Sequence, residues 1–542
     1  MVRGRVLASE PGEVVADTDG TPRAPAPARL FWELAFLAFA VASVYPLWHV
    51  RYAPLQDLPQ HLAAVRVWFD FGDPALGFQR YFQLDPWRTQ YLAYYALVGA
   101  LSRLVDVEVA NRIVLTACMV GTPYALRRLL VVLGRDGRLA FLAFPLVYNA
   151  HLILGFFNFL AAIPLALWGI ALAIDARRSP RRTRDIGLAL LALACFYAHV
   201  VPFALMALGI VLVSVEPTRW RSLSRLFPLA PAGLAAWSWL RSSPAGHATW
   251  TAASGGGARM PEFVPWRRAL AETPLWLTDV FTDPWALRLL HAWGGVAVFA
   301  LLIAPFLGRE HPSRDAPDAL ARSLGWRLTL LAPVCAALYF IAPTSYDWIW
   351  PIAPRFPLLA LLFLVIALPR PGRIGGHAIV LGAAILASAH FHVAGIAFSR
   401  FQRDEVGDFD EALAEIPRGQ RVAGLIFARG SAHVRFSPFL QYVAYYQARK
   451  GGAVMFSFAD FPQSPFRFRA HDRPPRVPPR WEWLPQLVDP ARDLDWYDWV
   501  LVRGRGGRLA MARDDWRLVW NGKHWSVWRR APATIRSDGL GP

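Results

Sequence analysis

The chain has 542 residues, of which 55% are hydrophobic and 18% charged, with a formal net charge of +18. Apolar segments recur along most of its length, which excludes a soluble enzyme. The basic charge is almost entirely arginine, Lys450 and Lys523 being the only lysines, and no basic stripe interleaved with aromatics lies outside the apolar segments. That excludes a nucleic-acid surface; arginines facing anionic lipid account for the excess.

Residues 1–29 are polar and rich in Gly, Pro and Ala, and are expected to form a disordered cytoplasmic tail. Residues 30–50 are apolar enough to span a bilayer as an uncleaved anchor, with cleavage after the Ala-Val-Ala at 40–42 as the alternative. A polar string, Gln56-Asp57-Leu58-Pro59-Gln60-His61, follows where the chain leaves the membrane. It opens a first outer loop, 51–90, in which residues 61–71 place Leu62, Val65, Trp68 and Phe69 on one helical face. Such a helix is expected to lie along the membrane interface.

Apolar stretches at 91–105, 109–133, 139–154, 157–174, 186–215, 223–240, 289–307, 326–341, 356–368 and 377–398 bring the minimal count to eleven spans. The 24 Trp and 15 Tyr suit a protein with much surface at the interface. With the N-terminus inside, the arginines at 127–138 and 177–184 fall on the outer side, against the positive-inside tendency. A break of 186–215 around His199 and Pro202 would move the second cluster inside, so the expected count is 11–13. Residues 241–288, with the run Ser254-Gly255-Gly256-Gly257, form a second outer loop.

Beyond residue 399 the pattern changes. Residues 421–427 and 499–502 read as short buried strands, 439–448 as an amphipathic helix, and 516–520 with 525–529 as a hairpin around Asn521-Gly522. The expected architecture is mainly α: a polytopic helical domain over 30–399, a small α/β domain over 400–530 and a flexible tail at 531–542.

Asp57 is the first candidate catalytic residue. A carboxylate at the interface can take a proton from an acceptor hydroxyl or amine as the new bond forms. Alternatively it caps the next helix, and His61 is a solvated first-turn residue. Asp85, in Leu84-Asp85-Pro86-Trp87-Arg88, is a second acid, and Arg88 could pair with a phosphate; an Asp-Pro turn with an interfacial arginine is the alternative. Asn149 and His151, then Asn158 in Gly155-Phe156-Phe157-Asn158-Phe159, fall between two apolar spans, where polar groups mark helix contacts or a polar cavity. His199 is either functional or bonded to a neighbouring helix's backbone. Arg355 begins a span, placed to clamp an anionic headgroup or a lipid-linked diphosphate, or to pair with Asp347.

Cys118, Cys195 and Cys335 are far apart and read as small buried apolar residues. The chain lacks a Walker loop, a dinucleotide-binding glycine pattern, HExxH, CxxC and a GxSxG elbow, which argues against ATP-driven transport, zinc proteolysis and acyl-enzyme chemistry.

This order of parts resembles the GT-C superfamily of integral-membrane glycosyltransferases. The strings Asp57-Leu58-Pro59-Gln60-His61-Leu62 and Gly155-Phe156-Phe157-Asn158-Phe159 look like those of its bacterial members. The resemblance implies an enzyme that moves a sugar from a polyprenyl-phosphate-linked donor to an envelope lipid, glycan or protein, by inverting displacement with Asp57 as general base. His61, Asp85, Arg88, Asn149, Asn158, His199 and Arg355 are the candidate substrate contacts, with Arg88 and Arg355 for the lipid phosphate. It also implies a multi-pass protein of the bacterial inner membrane with its C-terminal domain outside. No cofactor is certain; a divalent metal, Mg or Mn, is left open, with its ligands unknown. The second acid often paired with the first-loop acid is not obvious, and Asp85 is the candidate. Two other classes stay open. One is a transporter or flippase for lipid-linked glycans, which internal repeats would favour; the other is a non-catalytic assembly factor whose C-terminal domain binds a partner.

Overall fold

A computed structural model of the chain describes residues 26–216, 218–247, 261–308, 319–346, 349–475, 477–505, 511 and 515–531. Most of the expected N-terminal tail (1–25), the glycine run 254–257, Asp347 and the end of the C-terminal tail (532–542) lie outside the described residues.

Among the described residues six helices are long and apolar enough to cross a membrane: Leu30–His49, Val107–Val132, Phe157–Arg178, Trp285–Leu302, Ala319–Ile341 and Arg373–Val406, with shorter apolar helices between them. In chain order the helices are α1 (Ala26–His49), α2 (Leu58–Phe69), α3 (Phe78–Tyr81), α4 (Ala93–Leu101), α5 (Val107–Val132), α6 (Ala150–Leu154), α7 (Phe157–Arg178), α8 (Arg182–Ala198), α9 (Val200–Ser214) and α10 (Ala230–Ser242). They continue as α11 (Trp266–Trp276), α12 (Trp285–Leu302), α13 (Ala319–Thr329), α14 (Leu331–Ile341), α15 (Phe356–Ala367) and α16 (Arg373–Arg400). The α/β domain adds α17 (Phe409–Ala414) and α18 (Ala444–Lys450).

Ion pairs sort the two ends of this bundle. Arg127 forks onto Glu33 of α1 with both bonds at 2.6 Å, Arg128 pairs with Asp175, and Arg177 pairs with Glu216 at 2.8 Å. Arg327 donates to the Val215 carbonyl (2.8 Å) and Arg135 to that of Leu368 (2.7 Å). Both arginine clusters therefore sit at one end, beside the start of α1, and the Asp57 string sits at the other.

That arrangement corrects one expected span and decides between the two readings of another. Residues 91–105 do not cross: α4 is short, Arg103 beyond it pairs with Asp70 at 3.1 Å, and Glu108 pairs with Arg449 of the α/β domain at 2.6 Å. One face of this stretch, with Tyr94, Tyr95, Val98 and Gly99, is buried in protein, whereas Leu97 and Leu104 are exposed. The stretch 186–215 crosses twice, as α8 and α9, because extended backbone at His199 (φ −165°, ψ 133°) turns the chain. Residues 139–154 do run from the arginine end to the Asp57 end, but as a 3₁₀ segment, Gly137–Leu146, followed by the single turn of α6. Every residue from 139 to 154 is buried, so no irregular backbone faces hydrocarbon.

The α/β domain holds a five-stranded sheet of order β3-β2-β5-β7-β6, formed by β2 (Arg421–Ile426), β3 (Ala453–Val454), β5 (Trp499–Arg503), β6 (Trp516–Asn521) and β7 (Trp525–Arg530). β2 runs parallel to β3 and β5, and the expected terminal hairpin forms with Asn521 opposite Ser526. The expected helix at 439–448 is regular only from Ala444 onward. A separate antiparallel pair, β1 (Phe82–Leu84) with β4 (Phe466–Phe468), stitches the first outer loop to this domain.

α2 departs from the expected interfacial helix. Leu62 and Val65 are buried as the pattern predicts, but Ala63, Ala64 and Val67 on the other faces are buried too, because α18 and its domain cover them. Full burial of a residue such as Val67 stabilises by roughly 1.5–3 kcal/mol, so this contact helps hold the two domains together.

Candidate active site between the helical and α/β domains

A cavity of about 260 Å³ lies where these two domains meet. It receives Gln56, Asp57 and His61 from the polar string, Asn158 from α7, His199, Arg355, and Gln441 and Glu482 from the α/β domain. Aromatic rings, among them Tyr91, Tyr95, Phe156, Phe159, Trp350 and Trp483, make most of the remaining wall.

The string is fixed by its backbone. The Gln56 and Asp57 amides donate to the carbonyls of Ile153 (2.8 Å) and Leu154 (3.2 Å), so the turn before α2 rests on α6. Pro59 suits the first turn of α2, where its missing N–H costs nothing. Asp57 occupies the N-cap position, yet its carboxylate makes no capping bond. The side chain is thus left for the cavity, where burial pushes its pKa up to about 7 against a lowering hydrogen bond from Gln56.

His61 is held at both nitrogens. Nε2 lies 2.7 Å from the Gly155 carbonyl, which can only accept, so Nε2 carries the proton and Nδ1 accepts from the Tyr95 hydroxyl at 2.9 Å. Burial lowers its pKa to about 4, keeping the ring neutral. The Asn158 amide donates in turn to the Tyr95 oxygen, and its own Oδ1 is a buried acceptor without a partner. The two strings that carried the family resemblance are therefore one physical unit.

His199 bonds the backbone of the helix it begins, not that of a neighbouring helix. Nδ1 accepts from the Val201 amide at 3.1 Å and caps α9, which leaves Nε2 as a donor with no partner in the protein. Arg355, 7% exposed, lies over the rings of Phe156 and Phe159 at 5.5 and 6.0 Å. Among the described residues no carboxylate pairs with it, and its Nε is unpartnered. A buried guanidinium of this kind calls for an anion.

Three candidates lie outside the cavity. Asn149 is saturated: its Oδ1 caps α6 and its Nδ2 donates to the carbonyls of Leu146 (2.9 Å) and Val147 (3.2 Å). Asp85 sits 3.8 Å from Arg467 and its amide donates to Pro465, at the β1–β4 stitch. Arg88, in the 3₁₀ turn Pro86–Arg88, is partly buried beside Asp85, three residues before Tyr91.

The second acid of the cavity is Glu482, which the sequence did not single out. It ends a 3₁₀ turn, Pro479–Glu482, and its carboxyl is raised well above the usual range, first by burial and then by the negative charge of Asp57. A hydrogen bond from Gln441 holds it, and Gln441 Oε1 accepts from Gln60 Nε2 at 2.8 Å. Gln60 also accepts from the Phe458 amide (3.1 Å), so the string carrying Asp57 and the turn carrying Glu482 are tied together. The only local signal was an acid between two tryptophans in a proline-rich stretch. Among the described residues no group of three or more His, Cys, Asp or Glu forms a metal cluster.

No family model matches the chain, and no curated protein matches it. The chain is similar to two solved structures of ArnT from Cupriavidus metallidurans. The one bound to undecaprenyl phosphate is 13% identical, over 93% of this chain and 98% of that one, with a TM-score of 0.45. The apo state is 12% identical over 92% and 98%, again with a TM-score of 0.45.

Proposed function

We propose that the chain is a membrane glycosyltransferase of GT-C type that moves a sugar from a polyprenyl-phosphate-linked donor to an extracytoplasmic lipid, glycan or protein. The observation that carries this reading is the pairing, in one cavity at the end of a membrane bundle, of an uncapped Asp57 carboxylate with a buried Arg355 that has no carboxylate partner among the described residues. The arginine clusters at the opposite end fit a cytoplasmic face there, with the cavity outside.

The acceptor oxygen or nitrogen attacks the anomeric carbon, and the bond from that carbon to the phosphate oxygen breaks. The electron pair leaves with the polyprenyl phosphate, and the acceptor proton passes to Asp57. A carboxylate with a pKa of about 7 is matched to that task near neutral pH. Arg355 holds the phosphate through charge-assisted bonds, and His199 Nε2–H and the Asn158 amide oxygen offer a donor and an acceptor to the sugar. Asp57 and Glu482, with phosphate oxygens and water, are the set that would hold Mg or Mn, which would neutralise charge on the leaving phosphate.

The test is transfer from polyprenyl-phosphate-linked sugars by the purified protein in liposomes. Asp57→Asn should cut the rate by about 10²–10⁴ with donor binding kept. Arg355→Gln should weaken donor binding by about 10–100-fold, the loss of a charge-assisted bond. Undiminished transfer by Asp57→Asn would overturn the assignment.

A further inference from the structure

We propose that the groove between α1 and α16 is a binding site for an anionic phospholipid of the leaflet on the α/β-domain side. The groove has a volume of about 980 Å³ and shares no residue with the cavity around Asp57, so this site stands apart from the transferase reading. Its walls are Ala38, Val41 and Ala42 on α1 and Ser388, Gly395 and Ile396 on α16.

Length decides what fits. From Ala38 to His49 and from Ser388 to Arg400 the walls rise about 16–18 Å at 1.5 Å per residue. Half of a hydrocarbon core of ~30 Å is about 15 Å. An acyl chain of one leaflet can therefore lie along the groove from the bilayer centre to the headgroup level. The two walls meet at Gly395, where a Cβ would lie 4.0 Å from the Pro46 ring.

The headgroup end is basic. His49, Arg400 and Arg403 line it, and both arginines are exposed. Arg403 pairs with Asp404 at 2.7 Å, and Asp404 also feels the charge of Arg400. Among the described residues no carboxylate lies within ion-pair distance of Arg400, and the next acid, Glu405, accepts from the Ala432 amide instead. Two guanidinium groups against one carboxylate leave a net positive charge at the depth of a lipid phosphate. A guanidinium meets phosphate oxygens in a fork, and the second charge of a zwitterionic headgroup would offset that gain.

The test uses the purified full-length protein in neutral detergent, with native mass spectrometry and thermal melting in the presence of phosphatidylglycerol, phosphatidylcholine or inorganic phosphate. Phosphatidylglycerol should bind about fivefold or more tightly than phosphatidylcholine, and phosphate alone should not raise the melting temperature. Arg400→Gln should reduce the preference about fivefold. Ala42→Trp, at an exposed position, should fill the groove and abolish phosphatidylglycerol binding while lipid-free melting is unchanged. Equal binding of the two lipids, a phosphate response equal to that of phosphatidylglycerol, or a preference that survives both Arg400→Gln and an Arg400→Gln/Arg403→Gln double variant would overturn the site.

Discussion

Gly155 lies directly against Asp57: a Cβ built on Gly155 would stand 2.8 Å from the Asp57 Cβ and 2.9 Å from its backbone nitrogen. Gly155 also has φ of +92°, a conformation that side chains rarely adopt. Gly155→Ala should therefore push the Asp57 turn out of place. The expected outcome is a destabilisation of about 1–3 kcal/mol, with transfer lost well beyond the loss of folded protein. Melting temperature and transfer rate, measured on the same preparation, separate the two effects.

Transfer should depend on pH through Asp57. Its carboxyl must be ionised to accept a proton, so kcat/KM should rise as pH passes through about 7 and level off above it. The negative charge of Asp57 helps hold the Glu482 carboxyl well above the usual range, so Glu482 is still protonated while Asp57 ionises. Glu482→Gln removes no charge at that stage and should leave the acid limb where it is. A midpoint that moves clearly to lower pH would show that Glu482 is ionised before Asp57.

Asp57 should also weaken the fold at high pH. Unfolded, it ionises near 3.8; folded, only near 7, so the folded state binds the extra proton between those values. Stability from this group is present below about pH 4 and declines as pH rises to about 7, by on the order of 4 kcal/mol. Asp57→Asn should melt higher than the parent at pH 8, with the gap closing toward pH 4. Parallel melting curves across that range would contradict the buried carboxyl.

His61→Phe should cost stability without altering the pH profile. The Gly155 carbonyl and the Tyr95 hydroxyl would each lose a buried partner, at about 1–3 kcal/mol apiece. The ring stays neutral above about pH 4, so it contributes no ionisation to a neutral-pH midpoint. A shift of that midpoint in His61→Phe would identify the histidine as the titrating group instead.

Local pattern was enough to place several elements. The first span, the break at His199, the terminal hairpin and the polar string as the start of the site all follow from periodicity and punctuation over a few residues. Hydropathy misled twice: the stretch 91–105 has the apolarity of a span although α4 is only nine residues long and buries one face, and α2 looks interfacial although the α/β domain covers it. Long-range partners were out of reach. Gly155 meets His61 across 94 positions, and Gln60 reaches Gln441 across 381, distances over which no sequence period operates. Glu482 enters the cavity only because its domain folds back onto the first loop.

That fold-back sets when the site can exist. Gln60 donates to Gln441 and accepts from the Phe458 amide, up to 398 positions later in the chain. At synthesis rates of about 5–20 residues per second, the Asp57 loop emerges roughly 20–80 s before the segment that completes its surroundings. During that interval the first loop stands without Glu482, Gln441 or the wall of Trp483. Chain order thus acts as a timer: the cavity around Asp57 is complete only once the last domain has closed over the first loop.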